Sequence, residues 1–461
     1  MVEQATAIDA AKLAAGFRGR LVGPDDGEYD DVRRVWNGAI DRRPGLIAQC
    51  TGAADVASAV RFARVGELAV AVRGGGHSLP GYSTCDEGLV IDLSPMQGVW
   101  IDPGTRVARA QGGVTWSLFD HEAQAFGLGV TGGQITHTGI AGLTLGGGIG
   151  WLMRKHGLTC DNLVSADVVT ADGEILRASE NEHQELFWGL RGGGGNFGIV
   201  TSLEYRLHPV GIILGGLALY PMDRAPELLR VFRDFTDEAP DEVTAYAVFL
   251  TAPPFPFIPE EAHGQPVFGF GACYAGPVDE GERVLRPLRE ADPIVDLFQP
   301  MPYTVMQAML DPAAPPGDSY YVSSAYLGEL TDEALDVILE AGAGRPCPLC
   351  EVHVAHMGGA VARVPVDATA FGHRDAQFTA YVIGHWQDPA ASAAHVEWAH
   401  GYRGAIAPYA TGAYVNFLQD EGEEGIRFAY GAETYERLAE LKRRYDPTNF
   451  FQLNQNVATP V

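Results

Sequence analysis

The chain is poor in basic residues, in cysteine and in long apolar runs, and each shortage removes a class of function. Only 32 Lys and Arg stand against 59 Asp and Glu, a formal net charge of −27. Such a chain repels phosphate backbones and anionic bilayers, so neither nucleic acid nor a membrane is expected as a partner. No stretch approaches the ~18 consecutive apolar residues of a spanning helix. The first residues, MVEQATAIDAAKLAAGFRG, carry Glu3 and Asp9 where a secretory leader would have an apolar centre. Six cysteines, at 50, 85, 160, 273, 347 and 350, are too scattered to form a disulfide framework in 461 residues. A reducing, cytoplasmic setting is the expectation.

Apolar side chains and glycine are plentiful. With 46% hydrophobic and 20% charged residues the chain can bury a large core, and its length suits two or three domains or one split domain. The 57 glycines are about one residue in eight, well above the usual ~7%. They cluster at Gly74–Gly76, Gly146–Gly148 and Gly192–Gly195 without a triplet period, the pattern of backbone pressed close to a ligand.

Hydrophobic periodicity divides the chain near residue 210. Residues 1–45 read as a mostly helical opening. Ala53–Val65 has helical spacing, and Leu68–Val72, Leu89–Leu93 and Arg106–Ala110 read as strands. Ser165–Thr170 and Glu174–Leu176 flank Ala171-Asp172-Gly173 as a hairpin, and Ile199–Leu207 closes this half. Beyond Val210, prolines cluster at Ala252–Glu260 and Asp311–Gly317. Strands are expected at Val243–Leu250, Val267–Tyr274, Tyr320–Leu327, Val352–Met357 and Phe378–Trp386, with helices at Asp332–Ala341 and Tyr435–Tyr445. The class is α+β, the second half an antiparallel sheet with helices.

Several motifs invite chemistry. Val70–Ser78 (VAVRGGGHS) runs a strand into a glycine turn whose amides could surround a pyrophosphate; the plain alternative is a turn beside a solvated histidine. It lacks the Gly-Lys-Ser/Thr ending of a Walker loop, which disfavours triphosphate hydrolysis. Gly193-x-Gly195-x-x-Gly198 spells a dinucleotide fingerprint, yet a strand follows it where a Rossmann fold needs a helix. Cys347-Pro-Leu-Cys350 has only His353 and His356 nearby, both on an apparent strand, so the spacing reads as chance and no metal is expected. Along Gln377–Trp386, alternation puts Gln377, Thr379, Tyr381 and His385 on one face and Phe378, Ala380, Val382 and Trp386 on the other. The polar face suits a substrate cavity, while a half-buried structural tyrosine is the bland alternative for Tyr381.

Four blocks together carry a family resemblance: VRGGGHS (72–78), TGIAGLTLGGGIGWLMRKHGLTCDNL (138–163), LFWGLRGGGGNFGIVT (186–201) and YDPTNFFQLNQNV (445–457). In order and spacing the chain resembles the berberine-bridge-enzyme-like FAD oxidases of the vanillyl-alcohol-oxidase superfamily. The resemblance implies a split PCMH-type FAD-binding domain from residues 1–209 and 412–461, with residues 210–411 as a substrate domain whose antiparallel sheet roofs the isoalloxazine. It implies FAD bonded covalently through His77 to the 8α-methyl and through Cys160 to C6. Further flavin contacts are implied for Arg73, Gly74, Gly75, Gly76, Ser78, Thr138, Gly142, Gly146, Gly147, Gly150, Gly198, Val200, Asn454 and Asn456. Tyr381, Tyr414 and Asn416 fall at active-site positions. Where many relatives have Tyr-x-Asn-Tyr, this chain has Tyr414-Val-Asn416-Phe417, so the second phenol is missing and Tyr381 or a substrate-borne group must serve as base. Leu163 stands where relatives shape the oxygen pocket.

Three readings follow. The first is an oxidase acting on a hydroxyl-bearing sugar, alcohol or natural product, with O2 as acceptor and H2O2 formed, by a monomer or small homo-oligomer. The second is a tailoring dehydrogenase or oxygenase of secondary metabolism. The third is a ligand-binding flavoprotein without turnover.

Overall fold

The computed structural model describes residues 8–457. Its first half contains two small sheets and a two-stranded ribbon of Leu128–Gly129 with His208–Pro209. In one, Leu46–Gln49, Leu89–Asp92 and Val70–Arg73 run parallel, with Arg20–Val22 added antiparallel at the edge. The helix Ala53–Val65 forms as its spacing predicts, burying Val56, Ala59, Val60 and Ala63 on one stripe against those strands. The other sheet is antiparallel, in the order Val99–Asp102, Val107–Gln111, Ile199–Arg206, Leu163–Val169, Ile175–Ser179. Its last two strands are the expected hairpin, turning at Gly173 with φ of +75°.

The opening segment departs from expectation. Over residues 8–45 the helices are only Ala10–Ala14 and Tyr29–Val32, and Arg20–Val22 is a strand. Gly23-Pro-Asp-Asp-Gly27 supplies the reason: Asp26 Oδ2 accepts the Gly23 amide at 2.7 Å and folds a turn where a helix would have to propagate. Residues 1–7 lie outside the described part.

The second half is built on a nine-stranded antiparallel sheet. Its main path runs Val295–Asp296, Ile212–Pro221, Pro266–Tyr274, Val243–Thr251, Glu351–His356, Phe378–Trp386, Ser319–Leu327, Ala410–Gly412. Gln299–Pro302 also pairs with Ile212–Pro221. All five expected strands are present. Ile212–Pro221 is an addition, hidden in the sequence by Gly215-Gly216. A Cβ at Gly216 would lie 2.5 Å from the Leu297 carbonyl oxygen, so glycine is what admits the neighbouring chain.

The helices Ala225–Glu238, Asp332–Ala343 and Ser392–Ile406 cover one face of this sheet, burying Leu228, Phe232, Leu335, Ile338 and Ala399 against Phe268, Phe270, Val354, Ala380 and Val382. The opposite face carries Tyr246, Tyr320, Val322 and Tyr381 toward the first half. After Gly422–Tyr430 and Ala432–Tyr445 the chain returns to that half. There Asn196 Oδ1 accepts from the Val457 amide at 3.0 Å, and Asn454 Nδ2 donates to the Gly195 carbonyl at 3.2 Å.

Candidate active site

Between the sheets of the first half and the uncovered face of the large sheet lies a cavity of about 430 Å³. Its walls come from the 74–80 loop, residues 133–145, the glycine loop ending at Val200, alternate residues of three strands, residues 414–418 and the tail from Phe451 to Gln455.

The 74–76 loop leaves Val70–Arg73 and presses directly on a second loop. A Cβ at Gly75 would lie 2.3 Å from the Gly139 nitrogen, so backbone meets backbone and amides rather than side chains face the cavity. Arg73 stays behind this loop. Its guanidinium donates to Asp92 Oδ2 at 2.6 Å and to the Val32 carbonyl at 2.6 Å, anchoring the strand end. His77 lines the cavity, stacked on Trp36 at 4.7 Å, with Nε2 2.8 Å from His137 Nδ1. Burial, aided by the neighbouring His137, pulls its pKa down to about 3, so the ring is a neutral imidazole.

Gly74, Gly75, Gly76, Ser78, Thr138, Gly142, Gly198, Val200 and Asn454 also line the cavity. Arg73, Gly146, Gly147, Gly150, Asn456 and Cys160 do not. The three glycines are packing positions: added Cβ atoms would meet Asn416 Oδ1 at 2.1 Å, Phe371 at 2.7 Å and the Gly132 carbonyl at 1.8 Å. Asn456 braces the tail by donating to Asn449 Oδ1 and the Phe451 carbonyl.

Cys160, the residue implied for the second linkage, packs against residues that form the cavity wall without lining it itself. Its thiol is fully buried in an apolar cluster with Ile149, Leu158, Phe371 and Tyr414, of which Ile149 and Tyr414 line the cavity. Asp161 Oδ1 lies 3.7 Å from the thiol, in a carboxylate held by two hydrogen bonds from Arg374. Burial and the Asp161 charge push the thiol well above its usual range. Leu163 likewise packs in the core, away from the cavity.

The polar side of the cavity comes from two adjacent strands. Register places His353 opposite Tyr381, and with Glu351 they form a chain of three groups. Tyr381 Oη lies 3.3 Å from His353 Nδ1, and His353 Nε2 lies 2.7 Å from Glu351 Oε2. All three line the cavity, as do Thr379 and His385, so the alternation read from Gln377–Trp386 holds where it matters. Burial, followed by the charge of Glu351, raises the Tyr381 phenol far above its ordinary value. Sequence reasoning left His353 as a stray histidine and passed over Glu351; only the strand register joins them to Tyr381.

Tyr414 is differently committed. Its hydroxyl accepts from Asn416 Nδ2 at 2.9 Å, the Gly148 amide at 3.2 Å and the Ile149 amide at 3.4 Å. Burial outweighs these bonds and raises it to about 12. Asn416 also donates to the Leu143 carbonyl at 3.2 Å. Phe417 stands between the two tyrosines, its ring 5.0 Å from Tyr381 and 4.9 Å from Tyr414. On the other side Trp36, Tyr320 and His385 stack at 3.9 and 4.5 Å.

These residues fit a flavin dinucleotide. The 74–76 wall offers amides, the neutral histidine stands beside it, and the lining atoms Ser83 Oγ, Thr379 Oγ1 and Gln455 Oε1 are buried without a protein partner, as a polar ligand requires.

Known proteins agree with that fit. The family model for the FAD binding domain matches residues 44–179, and that for berberine and berberine-like proteins matches residues 413–458. An FAD-linked oxidoreductase of Dictyostelium discoideum is 33% identical over 93% of this chain and 92% of its own length. The (R)-6-hydroxynicotine oxidase of Paenarthrobacter nicotinovorans is 30% identical over 97% and 99%. The crystal structure of 6-hydroxy-D-nicotine oxidase from Arthrobacter nicotinovorans superposes with a TM-score of 0.87 at 28% identity, covering 100% of both chains.

Proposed function

The chain belongs to the berberine-bridge-enzyme-like FAD-linked oxidoreductases of the PCMH-type FAD-binding superfamily, and on that premise we propose that it oxidises a hydroxyl-bearing, ring-containing small molecule with O2 as acceptor and H2O2 as by-product. Family membership makes it an FAD-dependent enzyme, which removes the reading as a binding protein without turnover. The observation that carries the proposal is the Glu351–His353–Tyr381 chain facing the cavity.

Bound FAD supplies the two-electron acceptor. The protein's share is to hold the substrate and take its proton. A phenol raised this far by burial does not ionise near neutral pH, so Tyr381 cannot serve as a free phenolate. The relay removes that need. As Tyr381 Oη accepts the substrate proton, its own proton passes to His353 Nδ1, and the positive imidazole is neutralised by Glu351 at 2.7 Å. Phe417 and the stacked Trp36 and Tyr320 give a ring an apolar seat. A relative named for a hydroxylated nicotine supports that substrate class.

His77 and Cys160 are the proposed covalent anchors for the flavin: a neutral imidazole keeps the lone pair that bonding needs, and the thiol packs against Ile149 and Tyr414 of the cavity wall. Residues 1–209 with 412–461 are proposed as the FAD-binding unit, and 210–411 as the substrate unit.

Hydroxylated aromatics and sugars, mixed anaerobically with the enzyme, test the reading. A hydroxylated ring compound should bleach the flavin, and air should restore it quickly with one peroxide per turnover. Sluggish reoxidation, or oxygen atoms appearing in the product, would support the tailoring dehydrogenase or oxygenase instead.

A further inference from the structure

Cys347-Pro-Leu-Cys350 is left unused by the flavin chemistry, and the two histidines closest to it in sequence are engaged elsewhere. His353 belongs to the relay, and His356 Nε2 lies 2.8 Å from the Arg154 guanidinium. The cysteines themselves converge, with Sγ atoms 3.4 Å apart. The third donor comes from much further along the chain. His395, in the helix Ser392–Ile406, brings a ligand atom into a group in which Cys347, Cys350 and His395 donors all lie within 4.8 Å of one another.

His395 is only 3% exposed. Its Nδ1 lies 2.8 Å from the Ala391 carbonyl, which can only accept, so the ring proton sits on Nδ1. Its Nε2 therefore carries a free lone pair, and that atom is buried with no hydrogen-bond partner. A buried acceptor without a donor is costly. An imidazole whose far nitrogen donates to a backbone carbonyl is also how metal-binding histidines are held. The ring is steadied by stacking on Trp386 at 4.7 Å.

We propose that Cys347, Cys350 and His395 form a zinc site. Tetrahedral Zn–S bonds of ~2.3 Å put two sulfurs ~3.7 Å apart, a small adjustment from 3.4 Å. A disulfide would need the sulfurs to close to ~2.05 Å and would leave the His395 nitrogen unexplained. On binding, each thiol releases its proton to solvent, and the two thiolates balance the dication. The fourth position falls to water or to the His385 carbonyl oxygen, 3.2 Å from Cys347 Sγ and 3.7 Å from Cys350 Sγ.

The metal would act as a clasp. It would join the 347–350 turn to the end of the strand Phe378–Trp386 and to a covering helix. Leu349 and Glu351, on either side of Cys350, line the cavity, so the clasp holds the wall that carries the relay's carboxylate.

The test uses the flavin-loaded enzyme. After incubation with Zn(II) and gel filtration, one zinc per chain should remain. Two thiols should be shielded from a thiol reagent and recovered with chelator. Co(II) in place of zinc should give thiolate–cobalt bands at wavelengths longer than the flavin absorbs. Cys347→Ser and His395→Gln should reduce retained metal to background while Cys85→Ser keeps it. Failure to retain zinc, a cobalt spectrum without those bands, metal retention unchanged in His395→Gln, or an oxidised Cys347–Cys350 pair in unreduced protein would each overturn the proposal. The thiol and cobalt measurements on the parent decide the matter even if a variant does not fold.

Discussion

At the scale of single residues, Tyr381 and Asp120 are two buried acids that burial pushes in the same direction with different consequences. Tyr381 has His353 to receive its proton, so its hydroxyl can take a substrate proton without ever standing as a buried phenolate. Tyr381→Phe keeps the ring and should slow anaerobic flavin reduction by ~10²–10⁴-fold, the range of general-base assistance, with substrate binding little changed. His353→Gln should fall in the same range, and Glu351→Gln should cost less because it removes only the balancing charge. A reduction rate for Tyr381→Phe within about threefold of the parent, well short of a lost base, would retire the relay. Asp120 has no such outlet. It is fully buried in the helix Trp116–Gln124, accepts from Gln307 Nε2 at 2.9 Å through Oδ2, and leaves Oδ1 without a partner. Burial raises it to about 7. The folded protein therefore keeps a proton that the unfolded chain releases. This group's contribution to stability is complete below the ordinary carboxylate range, declines as pH rises toward about 7, and is flat beyond. Asp120→Asn removes the ionisation and should be the more stable protein at about pH 8, by roughly 3–4 kcal/mol from the linkage of about three pKa units. Denaturation midpoints of the two proteins should converge toward about pH 4. Equal stabilities at the higher pH would show that Asp120 is ionised in the fold at no cost.

At the scale of elements, the helix Ala432–Tyr445 is tied to the tail and the glycine loop through one buried ammonium. Lys442 Nζ donates to Asp446 Oδ2 at 2.7 Å, the Phe451 carbonyl at 2.8 Å and the Asn196 carbonyl at 2.9 Å. Asp446 in turn accepts the Phe450 and Phe451 amides. Both side chains are completely buried, so removing one strands the other's charge. Lys442→Met should cost ~3–5 kcal/mol in denaturant unfolding and reduce flavin content, since the tail it fastens supplies cavity wall from Phe451 to Gln455. Adding Asp446→Asn should recover part of that loss; strictly additive losses would show that the two do not act as a pair. The helix Ala432–Tyr445 is also an element that the sequence shows, through its apolar spacing and Asp446-Pro447 stop, as Phe378–Trp386 shows through its alternation. Ile212–Pro221 is not legible, because paired glycines look like a loop until the chain that packs on them is known. The cavity wall is legible at Gly74–Ser78, where glycines precede a histidine. The relay is not, because Glu351, His353 and Tyr381 meet only through the pairing of two strands. Cys160 shows the converse: a matching block locates a thiol in the chain without saying that it packs behind Ile149 and Tyr414 of the cavity wall.

At the scale of the whole molecule, the cavity is made of segments as distant as Trp36 and Gln455 and lies between the first-half sheets and the nine-stranded sheet. A ligand filling it touches both halves, so flavin binding and folding are linked. The form of that linkage depends on His77 and Cys160. With a covalent anchor the flavin is part of the folded chain, and added FAD has nothing to bind. Without one, FAD is an ordinary ligand that stabilises by RT ln(1 + [L]/Kd), ~2.7 kcal/mol at one hundred times Kd. For 461 residues, with an unfolding entropy of ~2 cal/mol/K per residue, that is a rise of about 3 °C in unfolding temperature. The double variant His77→Ala, Cys160→Ser should therefore release its flavin on acid precipitation, fold less stably without FAD, and gain about this much as FAD is titrated in. The parent should give a yellow pellet and an unfolding temperature indifferent to added FAD. If the parent's temperature also climbs with FAD, or its pellet is colourless, neither His77 nor Cys160 is bonded to the cofactor. His77→Ala alone should keep a yellow pellet through Cys160; a colourless one would leave His77 as the sole anchor.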